Sequence, residues 1–291
     1  MTGIRNWLAG RRRPNRPTIA VGLSAERVRL YQPGKPGQFV EASVAHAGEW
    51  GTALAGLLQP LQLQGARVQV VLAPSLYQVL QVEKPKVPDE ELPGALPWAV
   101  KDFVSEPVLQ LAMDYFELRS NPAAAPRLAV VVTPKSRVAQ IAEAVNAQAQ
   151  LESIVTEELA LADLLGVSDA VQLLLFQPAR QEPQLLVVHK GQLCFTRQLR
   201  GFARLTEGAA DPDLLDSLAL ELQRSLDYLI SQLKLPEAGQ LWVACEGADL
   251  GGLVRHLGQQ FSMNVQALAN PAVAAGLPYL ALYGVLQGAA A

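Results

Sequence analysis

The sequence predicts an internally duplicated α/β fold of two lobes. Two observations carry that prediction. The chain has 291 residues, half of them apolar, which is enough to bury more than one core. An order of three short strands, a helix and a further strand also occurs twice along it.

The first copy opens at Thr18 to Leu23, a short apolar run that reads as a strand. Arg27 to Tyr31 alternates Val28 and Leu30 with polar neighbours and forms the second strand. The Pro33-Gly34-Lys35-Pro36-Gly37 stretch turns the chain, and Gln38 to Val44 is the third strand. Leu54, Leu57, Leu58 and Leu61 share one face of a helix expected from Gly48 to Gln62. Val68 to Leu72 is rich in β-branched and apolar residues, as a buried strand is.

The next stretch differs. Tyr77 to Val82 is extended, and Asp89-Glu90-Glu91 supplies acidic residues where a helix start favours them. A helix is expected from Leu92 to Val104, with Pro93 in its first turn and a kink at Pro97. Strands at Met113 to Leu118 and Leu128 to Val132 follow, then an amphipathic helix from Ser136 to Gln148.

The second copy begins with strands at Val171 to Phe176, Gln184 to His189 and Gln192 to Gln198, with Lys190-Gly191 as a hairpin turn. Leu214, Leu215, Leu218, Leu222, Leu226, Leu229 and Leu233 mark the apolar stripe of a long helix from Pro212 to Leu233. A strand at Leu241 to Ala244, a helix at Gly251 to Gln260 and a strand at Asn264 to Leu268 complete the copy. A helix from Ala272 to Leu286, bent at Pro278, closes the chain.

Several function classes are disfavoured at once. A net charge of −3 gives no basic field for nucleic acid. Cys194 and Cys245 are too few and too far apart for a disulfide framework or a CxxC metal site, and they read as buried reduced thiols. His46, His189 and His256 are isolated, so no metal site is expected. No run of eighteen apolar residues spans a membrane, and no signal peptide is recognised. Near the start, Ile4, Trp7 and Leu8 lie at helical spacing before Arg11, Arg12, Arg13 and Arg16. Such a segment suits peripheral contact with anionic lipid, and equally a solvated basic arm.

Specific residues point to a family. Ala95-Leu96-Pro97-Trp98-Ala99-Val100-Lys101-Asp102 and then Met113-Asp114-Tyr115-Phe116 form one signal. Leu220-Glu221-Leu222-Gln223-Arg224-Ser225-Leu226-Asp227-Tyr228 is a second. Gly247-Ala248-Asp249-Leu250-Gly251-Gly252-Leu253 followed by Asn270-Pro271 is a third. In this order the chain resembles the family of PilM and the GspL cytoplasmic domain, and within it the MshI-type proteins of MSHA pilus biogenesis. The resemblance implies an actin-like (ribonuclease H-like) duplicated fold. Residues 1–17 would be a basic arm. Residues 18–76, 127–168 and 272–291 would form lobe one, 77–126 a small inserted subdomain and 169–271 lobe two.

The resemblance further implies a cytoplasmic scaffold at the inner face of the inner membrane. Its partners would be the N-terminal tail of a single-span (PilN-like) protein and other pilus platform proteins. Such a fold places ATP and magnesium between the lobes, and four places test that expectation. At the first phosphate loop Gly22 stands where the family has Asp, Ser24 where it has Gly, and Arg29 where Lys is usual. At the second loop Phe176-Gln177-Pro178-Ala179-Arg180 has neither the Asp nor the Gly. At the adenosine loop Gly247 is kept, but Glu246 replaces its paired Gly. Only Glu221 and Arg224 match, and an i,i+3 ion pair explains them equally well. Three of the four places are eroded, so the reading is a scaffold with a degenerate cleft, no catalytic residue and no required cofactor. An ATP-binding switch or ATPase is the alternative. Trp98 is read first as a packing aromatic and second as a partner anchor.

Overall fold

The computed structural model describes residues 16–34, 38–119, 125–207, 211–247 and 249–288. The arm residues Trp7, Arg11, Arg12 and Arg13 lie outside them. β1 (Thr18–Leu23), β2 (Arg27–Tyr31) and β3 (Phe39–Ser43) form an antiparallel meander. α1 (Trp50–Leu58) leads to β4 (Arg67–Leu72), which runs parallel to β1. An insertion follows, made of β5 (Gln78–Glu83), α2 (Leu92–Val100), β6 (Leu111–Leu118) and β7 (Arg127–Pro134). α3 (Lys135–Asn146) returns the chain to β8 (Gln150–Thr156), parallel to β4, and α4 (Glu157–Leu165) ends the first half.

The second half repeats this order without the insertion. It runs β9 (Val171–Gln177), β10 (Gln184–His189), β11 (Gln192–Gln198), α5 (Pro212–Ser231), β12 (Ala238–Cys245), α6 (Leu250–Gln260), β13 (Asn264–Ala267), α7 (Pro271–Ala275) and α8 (Leu280–Gly288). The two large sheets have matching orders, β3-β2-β1-β4-β8 and β11-β10-β9-β12-β13. The duplication expected from the strand pattern is therefore present in the topology.

The side chains sort into layers. Ile19, Val21, Val68 and Val70 meet Trp50, Leu54, Leu58, Ile141 and Val145 of α1 and α3 on the outer face of the first sheet. Leu173, Leu175, Val187 and Val243 meet the α5 stripe and Leu253 and Leu257 of α6 on the outer face of the second. The inner faces, Ala20 and Val71 on one side and Leu174, Phe176, Leu186 and Ala244 on the other, share α4 and α8 between them. β9 is thus buried on both faces, which explains its unbroken apolar run. α4 and α8 approach closely because Gly284 has no side chain; a Cβ there would clash with the Ala160 carbonyl oxygen.

The insertion has a core of its own. Leu92, Leu96 and Val100 of α2 pack on Val82, Leu111, Leu128, Val130 and Val132. Its sheet is ordered β5-β7-β6. β7 therefore belongs to it, and the small sheet runs to Pro134 rather than to 126. Its two connections to the rest of the first half are tied together. The Leu76 carbonyl accepts from Thr133 Oγ1 at 2.8 Å and from Arg137 Nη1 at 2.7 Å.

Other boundaries also differ from expectation. The helix expected at 48–62 stops at Leu58, since Gln62 adopts φ +55 while its N–H bonds back to Gln59. The helix expected at 92–104 ends at Val100, and Pro97 sits inside it. The final helix is interrupted rather than bent: Gly276 (φ +123) and Pro278 separate α7 from α8. Lys190 and Gly191 do form the hairpin, both at positive φ. No described helix is long and apolar enough to cross a membrane.

Candidate functional site

The duplicated topology gives two equivalent turns, one at the end of β1 and one at the end of β9. Their backbones correspond: Ala73 N–H donates to the Leu23 carbonyl, and Glu246 N–H donates to the Gln177 carbonyl, each at 2.9 Å. Of the sequence-predicted nucleotide residues, Gly22 and Ser24 lie at the first turn and Gly247 beside the second, and each turn is filled by the chain's own groups.

At the first turn the Ser24 hydroxyl accepts from Arg27 N–H at 3.0 Å and lies 3.3 Å from the Arg27 carbonyl. Trp50 Nε1 donates to the Ser24 carbonyl at 3.0 Å. The hydroxyl is therefore engaged in shaping the β1–β2 turn. Gly22 lies under Leu282 of α8; a Cβ there would meet Leu282 Cδ2 at 3.1 Å. Gly22, Ser24, Arg29, Ala73, Glu157 and Leu282 line a cavity of only about 20 Å³. That holds a water but no nucleotide.

Glu157 is the notable wall. It opens α4, whose N-cap is Thr156, and burial with the neighbouring Glu158 charge raises its carboxyl to about 7, against a lowering influence from Arg29. Glu158 is itself buried and receives the Tyr77 hydroxyl, which also accepts Glu157 N–H at 3.2 Å. Burial and this pairing push the Tyr77 phenol well up, so it stays a neutral donor. The sequence reading assigned nothing to this segment. A Thr-Glu-Glu helix start was the available signal.

At the second turn the closure uses carboxylates. Gln177 is fully buried, and its Nε2 donates to the Gln181 and Phe202 carbonyls, both at 2.9 Å. Its Oε1 is buried without a partner. Glu182 accepts from the Gly201 and Phe202 N–H groups at 2.9 and 2.7 Å. Glu246 faces Ala179 N–H at 3.4 Å, and Thr206 Oγ1 accepts from Arg180 N–H at 3.2 Å. Gly247 adopts φ +74 against Thr206, where a Cβ would lie 2.8 Å from the carbonyl oxygen. The backbone donors that an anion would need are occupied by this chain's own oxygens.

Glu221 and Arg224 do pair, but they are not walls of the cavity at Gly22 and Ser24. Glu221 also holds Arg197 of β11 at 2.7 Å, and Arg197 reaches Ser225. The pair ties α5 to an edge strand. A larger hollow of about 250 Å³ lies on the outer side of the second half, where Leu215 of α5 faces Asp249, Arg255, His256 and Gln259. Among the described residues no cluster could hold a metal ion. Cys194 and Cys245 are buried and free, and burial raises both thiols, Cys245 to about 12, so neither is a ready nucleophile.

Trp98 overturns its first reading. It is 75% exposed, opposite the Leu92, Leu96 and Val100 stripe, with Lys101 Nζ 5.9 Å from its ring centre.

No protein-family model matches the chain, and no curated protein matches it by sequence. Solved structures do. The chain is similar to a "PilM-PilN type IV pilus biogenesis complex" at TM-score 0.67 and 19% identity, over 94% of this chain and 99% of that one. It is also similar to the cytoplasmic domain of EpsL, an inner-membrane component of the type II secretion system of Vibrio cholerae. There the TM-score is 0.50 and the identity 13%, over 94% and 95% of the two chains. A Bacteroides thetaiotaomicron protein described as having an actin-like ATPase fold gives TM-score 0.49 at 13% identity. The fold of this chain is the actin-like α/β fold.

Proposed function

We propose that this chain is a cytoplasmic scaffold of a type IV pilus assembly platform, of MSHA type, working at the inner face of the inner membrane. It would bind the N-terminal tail of a single-span PilN-like protein and contact other platform proteins. One observation carries the reading beyond the likeness to PilM. The turns at the ends of β1 and β9 are filled by Ser24, Leu282, Gln177, Glu182 and Glu246, and this supports reading the fold as one kept without a nucleotide place. A preformed surface would lower the ordering cost of docking an extended tail.

The alternative is an ATP-binding switch. Its support is that Gly22, Ser24, Arg29 and Glu157 converge on one cavity. The scaffold reading is tested by fluorescence anisotropy with a labelled N-terminal peptide of the adjacent single-span pilus protein. Saturable binding without nucleotide is expected. Binding that requires Mg-ATP, or no binding at all, sinks the reading.

A further inference from the structure

The outer face of α2 is unlike its inner one. Leu92, Leu96 and Val100 bury one side of the helix in the small core, and Trp98 stands on the other, 75% exposed. Phe103 and Leu109 follow in the turns after the helix and are 63% and 80% exposed. The short turn Val108–Gln110, which carries Leu109, packs beside α2. Large apolar side chains grouped in solvent mark an interaction surface.

The size of the face selects its occupant. The three side chains expose about 450 Å² in all. A stable dimer buries ~800 Å² on each partner. A second copy of this chain gains too little here, whereas a short segment of a partner is matched in size.

The charge of the face selects the chemistry of that segment. From residue 86 to residue 110, five acidic residues stand against two lysines. Asp89 is taken up by Lys84 at 2.9 Å. Glu90, Glu91, Asp102 and Glu106 are exposed and have no ion pair among the described residues. Glu91 lies two turns before Trp98 and Asp102 one turn after it, about 10 and 6 Å along the axis. Gly94, one turn before Trp98, has open space where a side chain would stand. The indole is thus flanked by a notch and bracketed by carboxylates. Lys101 Nζ, 5.9 Å from the ring centre, is at the outer limit of a cation–π contact. An anionic lipid surface would be repelled from this face, and a basic segment drawn to it.

We infer that the Trp98 face of α2 docks a short basic amphipathic segment of a partner protein. An aliphatic side chain of the segment enters the notch over Gly94 against the indole, and others cover Phe103 and Leu109. Arginines or lysines on either side meet Glu91 and Asp102. The inference goes beyond the scaffold reading and stands or falls separately from it.

Fluorine NMR of the full chain labelled with 5-fluorotryptophan reads the face directly. The chain has four tryptophans, and Trp98→Phe identifies the Trp98 signal. The probe is a synthetic helical peptide of about fourteen residues, with leucines on one face and arginines on the other. It should shift the Trp98 signal saturably, and more weakly as salt rises. Glu91→Gln combined with Asp102→Lys should weaken binding about tenfold. A control peptide with glutamates in place of the arginines should leave the signal unmoved. A Trp98 signal that ignores the basic peptide, or answers both peptides equally, overturns the inference. Sedimentation and vesicle flotation of the full chain beside Trp98→Ser test the other occupants. A dimer, or binding to phosphatidylglycerol vesicles, that is lost in Trp98→Ser gives the face to a second copy or to lipid and overturns the inference as well.

Discussion

The two equivalent turns of the duplicated fold are held by different chemistry. The β1–β2 turn is filled from outside by Leu282, held from within by the Ser24 hydroxyl, and keeps a water-sized cavity beside Glu157 and Arg29. The β9–β10 turn is filled by amide and carboxylate groups of its own loops, with Glu182, Glu246 and Thr206 on the donors. Gly22 and Ser24 bring no carboxylate to the first turn, whereas Glu182 and Glu246 line the second. On the proposed reading a nucleotide phosphate would meet a steric barrier at one turn and an electrostatic one at the other. Restoring either turn alone leaves the other barrier standing.

The sharpest way to break the comparison is Gly22→Asp. Its Cβ would press on Leu282, and its carboxylate would join Glu157 and Arg29 at the small cavity that all three positions line. A loss of about 3 kcal/mol is expected by urea unfolding. If stability is unchanged, the first turn is more open than described.

Gln177→Ala comes next. It removes the donors to the Gln181 and Phe202 carbonyls from a fully buried position. The expected cost is about 2 kcal/mol. A comparable cost for Ser24→Ala would remove the difference between the turns. That hydroxyl serves a local, half-buried turn, and about 1 kcal/mol is expected for it.

Glu157 gives a pH signature peculiar to the first turn. Its carboxyl is raised to about 7, so between its ordinary value and 7 the folded state binds more protons than the unfolded one. Its contribution is greatest in acid and is lost as pH rises through about 7, on the order of 2 kcal/mol. Unfolding curves at pH 5 and pH 8 should differ by that amount, and Glu157→Gln should flatten the difference. A variant that keeps the full slope would place the titrating group elsewhere. The smallest effect is expected away from both turns: Trp98→Ser should change stability by less than about 0.5 kcal/mol, since the side chain is exposed.

Much of the fold was legible because it rests on local patterns. The strands at 18–23, 27–31, 184–189 and 192–198 follow from alternation and short apolar runs, and the structure keeps these bounds. β8 and α4 were missed. α4 lies between two sheets and buries Glu158, Ala160, Leu161 and Ala162 around its circumference, so it shows no one-sided stripe. Trp98 could have been placed correctly. Leu92, Leu96 and Val100 at i, i+4 and i+8 define the buried face, and Trp98 falls opposite.

At the site, the missing glycines and carboxylates were visible position by position. What fills their places was not. Leu282 reaches Gly22 from the last helix, Glu182 holds the Gly201–Phe202 turn, and Tyr77 meets Glu158 across the insertion boundary. Those contacts join residues far apart in sequence, and no local pattern encodes them.

The central claim is that both turns are closed to nucleotide. Isothermal titration of the full chain with Mg-ATP tests it most directly. No saturable heat at millimolar ATP is the predicted result. Saturable binding in the micromolar range would contradict it and would mean that the Leu282 and Glu182 closures open on contact with the ligand.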